Sequence, residues 1–181
     1  MPSPVSTLRH GSPNLVLNGW LFVYWSNTRG VRGADNATIR LDLGNEPQPD
    51  SFLLIEPECG GRARYSPEGY VEGAPEFVGE ISASSVSIDL NVKLRAYERN
   101  GVQEYVVWRV LEQAIDWFVL RNGQFERLAP DSAGILKSEV FPGLWLDAPA
   151  MLRGDLATVL AVLQQGIADP AHAAFVAKLQ K

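Results

Sequence analysis

The stretch FVGEISASSVSIDLNVKLRAYERNGVQEYVVW, Phe77 to Trp108, decides the fold, because it passes from a strand pattern to a helix pattern and back to a strand pattern. Phe77 to Ser82 is an apolar run closed by serines, and Ile88 to Asn100 is a helix ended by Gly101. VQEYVVWRV then reads as the next strand. Side chains alternate along a strand, so Val78, Glu80 and Ser82 share one face, and Phe77, Gly79 and Ile81 share the other. The strand reads as buried on both faces, where an unpaired ionised carboxylate is costly. Glu80 therefore requires a partner.

On the helix that follows, the spacing places Leu90, Leu94 and Tyr97 on the buried stripe and Lys93 at its edge, with Arg95 and Arg99 toward solvent. Lys93 is the cation on this helix that can bend inward while its stem covers apolar surface. Asp50 stands at the mouth of the run SFLLIE, where it can face Glu80 if the two strands are neighbours. Periodicity leaves two readings of Glu80 open. It is a structural carboxylate paired with Lys93 or Arg95, or, with Asp50, one of two hard oxygen donors suited to Mg²⁺ or Mn²⁺. Asp89 precedes Lys93 by four residues, which suits an ordinary i,i+4 ion pair in a first helical turn.

Outward from this centre, Asn14 to Thr28 carries Leu17, Leu21 and Tyr24 at helical spacing, with Gly30 as the cap. Ala37 to Leu43 and SFLLIE read as strands flanking a Pro-rich turn, and Pro57 to Pro75 as a long loop with a short extended piece at Gly69 to Val71. After VQEYVVWRV, the run AIDWFVLRNGQFERL forms a hairpin turning at Asn122-Gly123. GILKSEVFPGLWLDAP reads as extended or irregular, Asp147 as an N-cap, and DLATVLAVLQQGI with PAHAAFVAKLQK as helices. His10 reads as a partly exposed helix-end residue, and the tryptophans as core and sheet-face residues.

The chain has 181 residues, 46% of them hydrophobic and 20% charged, which suits one folded domain. Its net charge of -5 lacks the broad basic field of a nonspecific DNA binder, although arginines cluster locally. Cys59 is the single cysteine, so no internal disulfide forms, and no thiol–histidine zinc spacing is present. No signal-like start or membrane-length apolar run appears, so the expectation is a cytoplasmic protein without membrane contact. G-x-S-x-G is missing around ISASS, and two distant histidines offer no triad.

The ordered pieces SPVSTLRHG, QPD ending at Asp50, GYVEGAPEFVGEIS, DLNVKLRAYERNGVQEY, IDWFVLRNGQF and SEVFPGLWLD resemble the Uma-two family of restriction endonucleases, within the PD-(D/E)xK nuclease superfamily. The resemblance spans residues 2 to 152. It implies an α/β (α+β) fold, with a restriction-endonuclease-like mixed central sheet flanked by helices. Residues 1–153 would form this domain, and 154–181 a helical extension of it. It also implies metal-dependent hydrolysis of DNA phosphodiesters, with Asp50 and Glu80 holding Mg²⁺ or Mn²⁺ and a backbone carbonyl near Ile81 as a further ligand. Ser82 occupies the superfamily's usual lysine position, and Lys93 supplies the lysine from the helix.

Three departures stand against this pattern, the acidic balance of the chain being one. The family's leading E-L-x-D-G segment is missing before SPVS, which points to a shortened chain or an incomplete site, and EYVVWRV lacks an aspartate usual in that strand. The missing segment and the acidic surface motivate the alternative expectation, a catalytically silent nuclease-like domain that binds a partner or forms a homodimer, for which apolar positions on the C-terminal helices would serve.

Overall fold

The computed structural model describes residues 6–42, 44–83 and 86–180. Leu43, the last residue of the expected Ala37–Leu43 strand, and Ser84 and Ser85 of ISASS lie outside the described residues. A π-helical turn over Thr7–Gly11, started by Ser6, runs into α1 (Ser12–Asn27). Leu17, Trp20, Leu21 and Tyr24 are buried on one side of α1, so helical spacing overrides the strand-like composition of LFVYW. The helix ends at Thr28. Gly30, expected as its cap, instead takes a φ of 92° in the turn toward the first strand.

The strands follow as β1 (Val31–Asp35), β2 (Ile39–Arg40), β3 (Ser51–Ile55), β4 (Arg64–Tyr65), β5 (Val71–Glu72) and β6 (Phe77–Ser82). Ile88–Lys93, wound as a π-helix, continues into α2 (Leu94–Asn100), closed by Gly101 in the left-handed region. Then come β7 (Glu104–Arg109), β8 (Ala114–Arg121) and β9 (Gln124–Arg127). The order in the main sheet is β1-β3-β6-β7-β8-β9, and the β2-β5-β4 ribbon forms a second, smaller sheet. Strands β6 and β7 are parallel, as a helical crossover between them requires, and the other main-sheet pairs are antiparallel. The sheet is therefore mixed and flanked by helices, as the sequence implies.

Two strand readings are corrected. The expected strand over 37–43 shrinks to Ile39–Arg40, which pairs with β5. Asp42 cuts it short, because its carboxylate accepts the Gly44 N–H and the Asn45 amide and so forms a turn. On the side away from β6, β3 pairs with VRGAD, an edge strand not read as one because its Arg, Gly and Asp hide its pattern. The expected 57–75 loop also contains β4 and β5.

The sheet separates two cores. One side packs Phe77, Ile81, Val106 and Trp117 against Trp20 and Tyr24 of α1. The other packs Phe52, Val78, Tyr105 and Val107 against Tyr97 of α2 and Ile39 and Val71 of the small ribbon. Strand alternation consequently sends Glu80 toward α2, and Glu104, in step with Val106, toward α1.

The C-terminal part begins with the paired strands β10 (Ile135–Lys137) and β11 (Trp145–Asp147). Helix α3 (Ala148–Arg153) is capped by Asp147, which accepts the Ala150 N–H as expected. Helices α4 (Leu156–Ile167) and α5 (Pro170–Leu179) follow, and Val159 and Leu163 of α4 enter the α1-side core. Trp20 Nε1 donates to the Trp145 carbonyl at 3.1 Å, tying α1 to β11. No helix among the described residues is long and apolar enough to cross a membrane.

Candidate active site

Strand β6 places Glu80 in the middle of the sheet, 3% exposed, with Gly79 opposite Ser51 of β3 and Glu80 opposite Val107 of β7. Its Oε1 accepts the Tyr97 hydroxyl at 3.0 Å and lies 3.0 Å from Lys93 Nζ. Both partners come from the helical segment that crosses from β6 to β7, so the strand–helix–strand passage that orders the sheet also pairs the buried acid. The same Nζ stands 3.1 Å from Asp89 Oδ1.

Asp50 arrives from the neighbouring strand. Its Oδ2 accepts the Ile81 backbone N–H at 2.7 Å, and its Oδ1 lies 3.2 Å from His10 Nε2. Ile81 follows Glu80, so this bond fixes Asp50 beside the glutamate at the end of the β3–β6 ladder. The three residues that the sequence assigns to the site, Asp50, Glu80 and Lys93, are thus brought together by β3, β6 and the crossover helix.

Two further residues join them against expectation. Asp89, read as a first-turn i,i+4 partner of Lys93, does pair with it and is also 1% exposed. The π-helical winding of Ile88–Lys93 is the reason, because its wider coil changes which residues face the sheet. His10, read as a helix-end residue, touches Asp50 because the Thr7–Gly11 turn carries it to the end of β3. The sequence offered one clue to Asp89, its i,i+4 spacing from Lys93, and none from periodicity to His10. Tyr97 was read as a core residue. It is one, and it also supplies the hydroxyl that holds Glu80.

The electrostatics follow from the count of charges: Glu80 and Asp89 share the Lys93 ammonium, and Asp50 adds a third carboxylate beside Glu80. Burial pushes the Glu80 carboxyl up to about 7, the charge and hydrogen bond of Lys93 oppose the shift, and the neighbouring Asp50 and Asp89 add to it. Burial disfavours the charged form of Lys93, but Glu80 and Asp89 outweigh it, so the Lys93 pKa is raised. Tyr97 is held as a neutral donor by burial and by Glu80. An excess of buried carboxylate over ammonium is the environment that a divalent cation relieves. Among the described residues no group of three or more His, Cys, Asp or Glu side chains is arranged to hold a metal. Two carboxylates are nevertheless a sufficient protein share for Mg²⁺, which keeps several of its waters. On donor chemistry, Asp50 and Glu80 fit the ion.

A second buried glutamate supplies a contrast. Glu104, 0% exposed, accepts the Ser138 hydroxyl at 2.7 Å and the Glu139 and Val140 N–H groups at 2.7 and 3.3 Å. Burial raises its carboxyl to about 7, and these hydrogen bonds oppose the rise. It anchors the 138–141 turn and borders no other buried acid of the site.

Comparison with known proteins follows the same line. A family model described as "Uma2: Putative restriction endonuclease" matches residues 1–149. No curated protein matches the chain significantly in sequence. Among solved structures, a protein from Anabaena variabilis ATCC 29413, titled a putative nuclease belonging to DUF820, is similar with a TM-score of 0.56 at 13% identity. The match covers 90% of this chain and 84% of that one, and it shows a shared fold.

Proposed function

The chain belongs to the Uma2 family, and from that premise we propose that it is a divalent-metal-dependent endonuclease that hydrolyses phosphodiester bonds in DNA. The family's description supports a nuclease role. The observation that carries the reading is the meeting of Glu80 and Lys93 at 3.0 Å, with Asp50 held on the next backbone N–H of the same strand.

In this reading Asp50 and Glu80 hold Mg²⁺ or Mn²⁺. When bound, such an ion polarises a phosphoryl oxygen and lowers the pKa of water. The remaining work falls to the protein. Tyr97 donates to Glu80 Oε1 and fixes the carboxylate that the ion would meet. The Ile81 N–H does the same for Asp50. Lys93 spends two contacts on Glu80 and Asp89, and an ammonium has three donors. The third can hold the attacking water or take up charge developing on the phosphate. Residues 1–153 and 154–181 are read as one domain, with the C-terminal helices supporting α1.

A second reading, a nuclease-like domain that binds without cleaving, draws on the fact that both Asp50 oxygens already have partners, His10 and Ile81. The test is cleavage of supercoiled and single-stranded DNA with Mg²⁺ or Mn²⁺ by wild type beside Glu80→Ala. Metal-dependent cleavage lost in Glu80→Ala is the expected result. Equal residual cleavage by both proteins would sink the assignment.

A further inference from the structure

A groove of about 510 Å³ runs between α1 and the edge strand β1. Its polar end lies beside the candidate active site. Gly11, next to His10, and Asn18, which accepts the Ser51 hydroxyl at 2.8 Å, both line it, and Ser51 directly follows Asp50. Asn18 in turn donates to Asn14 Oδ1 at 2.9 Å. These bonds fix the orientation of both amides, and Asn14, also a lining residue, retains amide N–H donors beyond this chain.

The far end is aromatic. Phe22 and Trp25 meet edge to face, 5.9 Å apart at 86°, and Phe22 is 61% exposed. Trp25 lies against the edge strand because Gly33 leaves room for it. A Cβ there would come 3.3 Å from Trp25 Cε3 and 3.1 Å from Leu53 Cδ2. Two perpendicular rings form a corner that accepts a flat third ring against either face.

Among the described residues no lysine or arginine lines this groove, and Asp35 contributes a carboxylate. A phosphate is therefore unwelcome inside it, whereas a neutral heteroaromatic base finds amide donors, a carboxylate acceptor and stacking surfaces. The volume lies within the roughly 300–1,000 Å³ of small-ligand clefts. A base paired within a duplex cannot enter a cleft of this kind without leaving its stack.

We propose that this groove receives an unstacked base next to the phosphate presented to Asp50 and Glu80, so that the protein prefers single-stranded DNA to duplex. The proposal rests on the nuclease reading for the position of that phosphate, and binding can be tested without cleavage.

The probe is a fluorescein-labelled DNA strand of about ten nucleotides, alone or annealed to its complement, titrated in EDTA and read by anisotropy. Wild type binds the single strand more tightly than the duplex. Phe22→Ser weakens single-strand binding by about tenfold, the scale of one lost stacking contact, and Phe22→Trp restores it. Asn14→Leu, which keeps the branched shape at Cγ and removes the donors, weakens it similarly. Equal affinity of wild type for the two probes, or wild-type binding by both Phe22→Ser and Asn14→Leu, overturns the inference. So does a dimer, seen by light scattering, that Phe22→Ser dissociates, because the face would then be covered by a second copy. Groove-dependent binding with no Glu80-dependent cleavage would defeat the nuclease reading and leave this one standing. Glu80-dependent cleavage with indifferent groove variants would do the reverse.

Discussion

Glu80 and Glu104 sit on adjacent parallel strands, both buried, both with carboxyls raised to about 7, yet on opposite faces of the sheet. Glu104 is met by a hydroxyl and two backbone N–H groups from one turn, a closed set of neutral donors. Glu80 is met by a phenol and an ammonium, and it shares that ammonium with Asp89 while Asp50 stands nearby. An equal shift in pKa thus accompanies two different situations. One acid is buried and satisfied; the other is buried among like charges. Perturbed titration alone does not mark a functional group, and what makes Glu80 the candidate is the meeting of buried acids around one ammonium.

The largest effect that would sharpen this contrast is on cleavage. Glu80→Ala should lower the metal-dependent rate by about 10³-fold or more, at a cost of only about 1 kcal/mol in urea unfolding, because the Tyr97 hydroxyl loses its acceptor while Lys93 keeps Asp89. A protein that cleaves normally but unfolds easily would place Glu80 with Glu104.

Glu104→Ala should show the reverse. Removing the carboxylate leaves three donors of the 138–141 turn without their acceptor, at a cost of about 3 kcal/mol in urea unfolding. Cleavage per folded molecule is retained. Glu104→Gln, which keeps an acceptor oxygen, should lose less.

The response to pH and Mg²⁺ comes next. Each glutamate's folded pKa is raised from 4.5 to about 7, so the folded state holds a proton that the unfolded chain has released. Without metal, stability should therefore fall as pH rises through this window and level off above it. Mg²⁺ competes with the proton on Glu80, so its stabilisation should appear as pH rises through about 7, reaching about 2.7 kcal/mol at a hundredfold excess over Kd. Thermal melts should lose this gain in Glu80→Gln and keep it in Glu104→Gln. A gain lost in both variants would erase the distinction.

The smallest effect concerns the phenol. Tyr97→Phe removes one donor from Glu80 and should cost about 1 kcal/mol of stability. It should also raise the pH at which Mg²⁺ begins to protect the protein. Protection starting at the wild-type pH would mean that Tyr97 only fills space.

Much of the fold was legible because its signals are local. FVGEIS is a strand over the residues read, the Asn122-Gly123 turn joins β8 to β9, and Asp147 caps α3. The strands missed were those whose partners set them. VRGAD pairs because β3 offers an edge, and β4 is a two-residue piece held by β5, which itself starts at Val71, the last residue of the extended piece read at 69–71. The core of the candidate site was legible for a different reason. A carboxylate in an apolar strand is an energetic contradiction, and the search for its partner led to Asp50 and Lys93. His10 and Asp89 create no such contradiction in the sequence, since a histidine near a helix start and an aspartate in a first turn are ordinary there. Their roles depend on π-helical winding, which a periodicity near 3.6 does not reveal.

The bond from the Ile81 N–H to Asp50 spans 31 residues of sequence. It also has a kinetic meaning. Helix α1 can form from neighbouring residues alone, but the two acids meet only after the chain between them has closed and β3 has found its register on β6. Assembly of the site therefore belongs to the slow, long-range stage of folding. A refolding experiment should recover helical signal before it recovers metal-dependent protection.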